Sequence, residues 1–129
     1  MAMVLIMAGV GCTPDAGEPL ALSDEEQVAA RAQERWNALV DGALEDAYLK
    51  ESPAFREAYT LRAYRGRFGH QLRWIAAEVA EVAVDGDMAS VRVMVSYVSL
   101  GPDGRPMEGE RPLEEAWLRE EGEWWYVSK

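Results

Sequence analysis

Glu115 stands in the run Leu113-Glu114-Glu115-Ala116-Trp117, a setting in which a carboxylate could do chemistry. Alternation with period two puts Leu113, Glu115 and Trp117 on one face of a strand. If that face is inward, a carboxylate lines an apolar interior, where it is costly unless a donor meets it. If Glu114 turns inward instead, Glu115 is merely solvated. A tyrosine donor in an open cavity would suit proton transfer or recognition of a polar ligand group, whereas an arginine would tie the carboxylate into the structure. The donors within reach of such a face are Tyr48, Tyr64, Tyr97, or an arginine such as Arg73. The structural outcome is expected, because ion pairs that hold a fold together also perturb titration. Tyr48, Tyr64, Tyr97, Glu115 and Trp117 are therefore the expected pocket residues, and no residue is assigned to catalysis.

Other reactive types are sparse. The single histidine, His70, follows Gly69 at a helix-to-strand junction, where a solvated linker role outweighs that of a general base. Tyr48, Tyr59 and Tyr64 fall on helical segments and read first as amphipathic packing. The stretch FREAYTLRAYRGRFGHQLR gathers Arg56, Arg62, Arg65, Arg67 and Arg73. Guanidinium forks suit carboxylates and phosphates, so this stretch could hold an anionic ligand or a partner's acidic face. The simpler expectation is that these arginines balance Glu108, Glu110, Glu114 and other acids across the surface.

Composition narrows the chemistry further. The chain has 129 residues, 13 Lys and Arg against 23 Asp and Glu, and a formal net charge of -10. So acidic a surface repels phosphate backbones, which excludes nucleic acid as an expected partner. One cysteine makes no internal disulfide, and one histidine leaves no Cys/His set for zinc. The phosphate-cradling glycine motifs are absent, and neither a metal nor a cofactor is expected.

The elements that must position these residues follow from local signals. Ser23-Asp24-Glu25-Glu26 is a capping box, with acids at the positive end of a helix dipole. Val28, Ala32, Trp36, Leu39, Val40 and Ala43 then recur at helical spacing until Asp41-Gly42 ends or kinks the helix. A second short helix carries ALEDAYLK, with Asp46 and Lys50 one turn apart and able to pair. Ser52-Pro53 caps a third piece, and Thr60 a fourth, LRAYRGRFG, stopped by Gly69. From about Leu72 the period changes. RWIAAEVAEVAV, the turn Asp85-Gly86-Asp87, and MASVRVMVSYVSL read as a hairpin of β-branched strands. Val91, Val93, Val95 and Tyr97 share one face; Ser90, Arg92 and Ser96 share the other. Gly101-Pro102-Asp103-Gly104 leads to MEGERPLEEAWLR, and Glu121-Gly122 turns into EWWYVSK. The class is α+β, with helices first and then a curved antiparallel sheet of about four strands. Trp36 and Trp117 are expected to share the core between the two layers. Trp124 and Trp125 give each sheet face one indole, and the outer one hints at a homodimer contact or at cover by another element.

The opening MAMVLIMAGVGC is apolar up to Cys12, far short of the roughly 18 residues that span a bilayer. Residues 1–11 read as a signal-peptide-like segment, residues 12–22 as a lipidation cysteine and a flexible tether, and residues 23–129 as the folded domain. AGVGC resembles the lipobox of bacterial lipoproteins, which implies Cys12 as the lipidated residue. The resemblance also implies a bacterial cell-envelope location (periplasmic side in a Gram-negative cell), with the membrane reached through the lipid anchor only.

The order of elements, with RWNALVDGALEDAYLKESPAFR, VDGDMASVRVMVSY and EEAWLREEGEWWYV, resembles the nuclear transport factor 2-like (NTF2-like) superfamily. That is the cone-shaped fold of ketosteroid isomerase, scytalone dehydratase and polyketide cyclases. The resemblance implies that the Trp117 face is the inner one and that the interior is a cone. It is compatible with a non-catalytic domain binding a small apolar ligand or a partner protein, or with a small cyclase, isomerase or dehydratase-like enzyme. Without a recognisable acid/base pair, the binding domain is the expectation.

Overall fold

Four helices precede four strands, as a computed structural model shows for residues 21–69 and 72–128. Cys12 and His70 lie outside the described residues. Helix α1 (Asp24–Asp41) begins at the expected capping box: the Ser23 hydroxyl accepts from the Glu26 amide, and the Glu26 carboxylate accepts from the Ser23 amide. It ends at Gly42, whose φ of 76° closes the helix in the left-handed region that glycine favours. Three short helices follow: α2 (Leu44–Tyr48), α3 (Pro53–Ala58) and α4 (Leu61–Arg65). Ser52 and Thr60 cap α3 and α4 as their positions suggest. Helix α4 stops at Gly66 rather than at Gly69. Lys50 pairs with Glu34 of α1 at 2.9 Å, not with Asp46, so this contact joins α1 to the chain beyond α2.

The sheet runs β1 (Leu72–Asp85), β2 (Met88–Leu100), β3 (Pro106–Glu120) and β4 (Glu123–Val127), antiparallel and in sequence order. Register shifts in β1 at Trp74/Ala76 and Val79/Glu81 bend the long hairpin over α1. At the second shift Gln33 of α1 acts as a substitute peptide: its carboxamide accepts from the Val79 amide and donates to the Ala77 carbonyl. This satisfies backbone groups on an edge strand. The opposite edge is extended by residues 50–52. Ser52 donates to the Tyr126 carbonyl, and the Tyr126 amide donates to the Lys50 carbonyl, which sets Glu51 beside Tyr126 in a parallel bridge.

One sheet face is committed to the core, as the alternation in β2 requires. Ala89, Val91, Val93 and Val95 are buried against Val28, Ala32, Trp36 and Leu39, while Ser90, Arg92 and Met94 face out. Trp36 and Trp117 meet in this core, and Trp124 joins them from β4. Trp125 points the other way but is covered from within the chain, with the guanidiniums of Arg31 and Arg56 lying 4.9 and 5.1 Å from its ring. Replacing either Trp36 or Trp117 by alanine should cost about 3–5 kcal/mol, as for large aromatics in packed interiors. Chemical denaturation measures this, and a loss below about 1 kcal/mol would contradict the core assignment.

A buried polar cluster and the mouth of the cone

The helical stripe Val28, Ala32, Leu39 also contains Arg35, so α1 turns an arginine and its neighbour Trp36 inward together. Arg35 Nη1 donates to Glu115 Oε2 at 2.8 Å, and Trp36 Nε1 donates to the same oxygen at 3.1 Å. Trp117 Nε1 reaches Glu115 Oε1 at 3.4 Å. Glu115 is 6% exposed, so Leu113, Glu115 and Trp117 do share the inner face, and Glu114 pairs outside with Arg92 at 2.6 Å. The donor to Glu115 is an arginine, but it is Arg35 of the long helix rather than Arg73. A carboxylate held by a guanidinium and two indoles is poorly placed to exchange protons with anything else. The Arg35 guanidinium also lies 3.5 Å from the centroid of the Tyr126 ring, so one cation serves a carboxylate and an aromatic face.

A second carboxylate lies beyond it. Glu51, in the short seam against β4, is 1% exposed; neither of its oxygens makes a well-formed hydrogen bond among the described residues, and the nearby Ser128 hydroxyl only slightly favours its charged form. The Tyr64 hydroxyl and Arg35 Nε are likewise buried without a well-formed hydrogen bond, although the Arg35 guanidinium lies close enough to favour the charged tyrosine. Burial pushes the Glu51 carboxyl up from 4.5 to about 7, against the opposing pull of Arg35 and Arg67. Burial also pushes the Tyr64 hydroxyl up to about 12, and the Tyr126 hydroxyl in the same direction. Arg35 is thus the shared cation of an interior that also contains Glu115, Glu51, Tyr64 and Tyr126.

The expected pocket residues separate into three places. Glu115 and Trp117 join Arg35 and Trp36. Tyr64 packs on the ring of Tyr48 at 5.4 Å, while the Tyr48 hydroxyl is taken by the Tyr59 and Arg56 carbonyls. Tyr97 stands at the far end of β2 over Gly109, where a Cβ would come within 2.5 Å of its ring. Arg35 was legible as a member of the helical stripe, and Tyr126 as the residue two beyond Trp124. Glu51 carries no periodic signal, since its burial depends on a bridge across 75 residues of chain.

Open space lies at one end of the cone. A cavity of about 530 Å³ is lined by Leu39, Leu44, Phe68, Leu72 and Trp74, with Arg67 and Arg73 at its wall. The basic segment is not spent on Glu114, which pairs with Arg92 of the neighbouring strand. Arg56 donates to the Glu51 carbonyl, Arg65 approaches Glu45 at 4.0 Å, and Arg67 donates to the Ser128 hydroxyl. No group of three or more metal-ligating side chains is found among the described residues.

These layers, with a polar cluster inside and an open mouth, define an α+β domain of the NTF2-like fold. Neither a family model nor a curated protein matches the sequence. Solved structures do. A SEC-C motif containing protein from Rhodopseudomonas palustris aligns at TM-score 0.60 and 13% identity, over 77% of this chain and 73% of that one. An LEH-like epoxide hydrolase from M. tuberculosis aligns at 0.51 and 11% identity, over 84% and 83%. The CamKII hub homology domain of Chlamydamonas reinhardtii aligns at 0.50 and 18%, over 78% and 91%. At such identities the likeness is one of fold.

Two substitutions separate the interior carboxylates. Glu115→Gln removes the partner of a buried guanidinium and should destabilise the domain by about 3–5 kcal/mol at neutral pH. Glu51→Gln should do the opposite. Because folding raises the Glu51 value from 4.5 to about 7, the folded state holds a proton that the unfolded state has released between those limits. Stability contributed by the protonated form is complete below about pH 4.5 and lost as pH rises through 7, a fall of about 3 kcal/mol. Denaturation midpoints across this range should show that slope in the native chain, and Glu51→Gln should flatten it. An unchanged slope would show that Glu51 is not its source.

Proposed function

We propose that the domain is a binding module whose ligand site is the mouth cavity, and that Glu115 is structural rather than catalytic. One observation carries this reading. Glu115 is held by Arg35, Trp36 and Trp117, while an accessible, mostly apolar space lies at Leu39, Leu44, Phe68, Leu72 and Trp74. Its volume falls in the range of small-molecule sites, about 300–1,000 Å³. A neutral apolar fluorophore such as N-phenylnaphthylamine should bind with one site per chain. Leu72→Asp should abolish binding without unfolding, since Leu72 is 40% exposed. Full binding by a folded Leu72→Asp chain would place the ligand elsewhere.

A second reading rests on Glu51. A buried carboxyl titrating near 7 close to a tyrosine is a combination that proton-transfer sites use, and the domain would then be a cyclase-, isomerase- or dehydratase-like enzyme. In that reading Glu51 moves the proton and Glu115 only orients Arg35.

The apolar run ending in AGVGC supports a lipid-anchored, envelope location for the chain, with Cys12 as the acylated residue. Replacing Cys12→Ser in the full-length gene should release the protein from the membrane fraction. Unchanged membrane association would defeat the anchoring proposal and leave the binding reading untouched.

A further inference from the structure

We infer that the mouth cavity takes an anionic amphiphile, a free single-chain carboxylate of the fatty-acid type, with its chain on the apolar wall and its head group on Arg67 and Arg73. The inference rests on the mouth being the ligand site and adds the class of ligand. The wall formed by Leu39, Leu44, Phe68, Leu72 and Trp74 offers no charged group to a hydrocarbon chain. Among the described residues the two charged ones lining the cavity are both arginines, in a protein of net charge -10. Such a chain repels anions at long range, so an uncompensated cationic wall is a local exception in its field.

Both guanidiniums keep donors to offer. Arg73 forms no ion pair among the described residues and is exposed. Arg67 donates to a neutral hydroxyl, that of Ser128 at 3.1 Å, and lies 5.3 Å from the Phe55 ring centroid and 5.9 Å from that of Tyr59. Its field reaches Glu51, but no carboxylate oxygen stands within ion-pair distance of it among the described residues. Planar forks of this kind match a carboxylate in two parallel hydrogen bonds. A singly charged head group is preferred to a phosphate, because each further negative charge adds repulsion from the acidic surface.

The test uses the full chain and monomeric probes below their micellar concentrations. Dodecanoate, dodecanol and dodecylammonium share one hydrocarbon chain and differ in head-group charge. Calorimetric titration should show dodecanoate binding at least about tenfold more tightly than dodecanol, with dodecylammonium weakest. Added salt should narrow the gap, since the rim is exposed. Arg73→Gln should remove most of the preference for the acid; Arg73 lies on the surface, so the variant is expected to fold. Equal affinity for acid and alcohol would overturn the anionic head group while leaving an apolar ligand site standing. Tightest binding of the ammonium would do the same, because the acidic surface would then outweigh the arginines. Binding of none of the three would overturn both this inference and the ligand site on which it rests.

Discussion

The ion pair between Arg35 and Glu115 is the contact through which helix and sheet find a single register. Helix α1 brings Arg35 and Trp36 inward side by side, and β3 brings Glu115 and Trp117 inward two residues apart. Three donors from these side chains converge on one carboxylate. Apolar packing alone tolerates sliding, because valines and alanines along β2 offer similar surfaces at each step. A directional cluster does not. Slipping β3 by one residue so that Ala116 takes the inward place of Glu115 would turn Glu115 and Trp117 to solvent and leave Arg35 buried without its counter-ion.

Using Arg35 in this way sets a limit on the rest of the interior. A single guanidinium can neutralise one carboxylate, and Glu51 lies in the same core. The second acid is accommodated by keeping its proton up to about pH 7, a consequence of burial that Arg35 and Arg67 only partly offset. The backbone holds Glu51 there through the seam against β4, where residues 50–52 extend the sheet edge. The inside of the cone is therefore occupied by its own charge balance. Open space is left at the end of the cone, where α1 and α2 part from the start of β1.

Much of the frame was legible because its signals are local. The capping box at Ser23, the break at Gly42 and the caps at Ser52 and Thr60 need only neighbouring residues to form. The inward face of β2 and the placement of Glu115 follow from period-two alternation once the Trp117 face is known to be inner. The identity of its partner does not follow in the same way. Arg73 and Arg35 are equally able to pair, and the choice between them depends on where a whole helix crosses the sheet. Tyr97 shares the inner face with Val95, yet strand length carries it beyond the core to Gly109. Glu51 is harder still, since nothing within its own segment marks a residue whose burial is imposed by a strand at the other end of the chain.

The chain carries eleven arginines and only two lysines, and the structure gives that bias a physical use. Arg31 and Arg56 lie over Trp125, Arg35 over Tyr126, Arg67 near Phe55 and Tyr59, and Arg119 over Trp124. A planar guanidinium can cover an aromatic face and still donate in its own plane, which an ammonium does less well. Arg119 shows both at once, bonding Asp24 at 2.9 Å and Asp87 at 3.0 Å beside its indole. The short strand β4, with Trp124, Trp125 and Tyr126 in succession, is held by four such cations from α1, α3 and β3. Cations in an acidic protein are thus consumed as packing groups where the aromatics are. Arg73, like Arg62 and Arg111, lies outside that pattern, with neither a ring contact nor an ion pair among the described residues. Its charge at the cavity wall is left uncompensated by the fold itself.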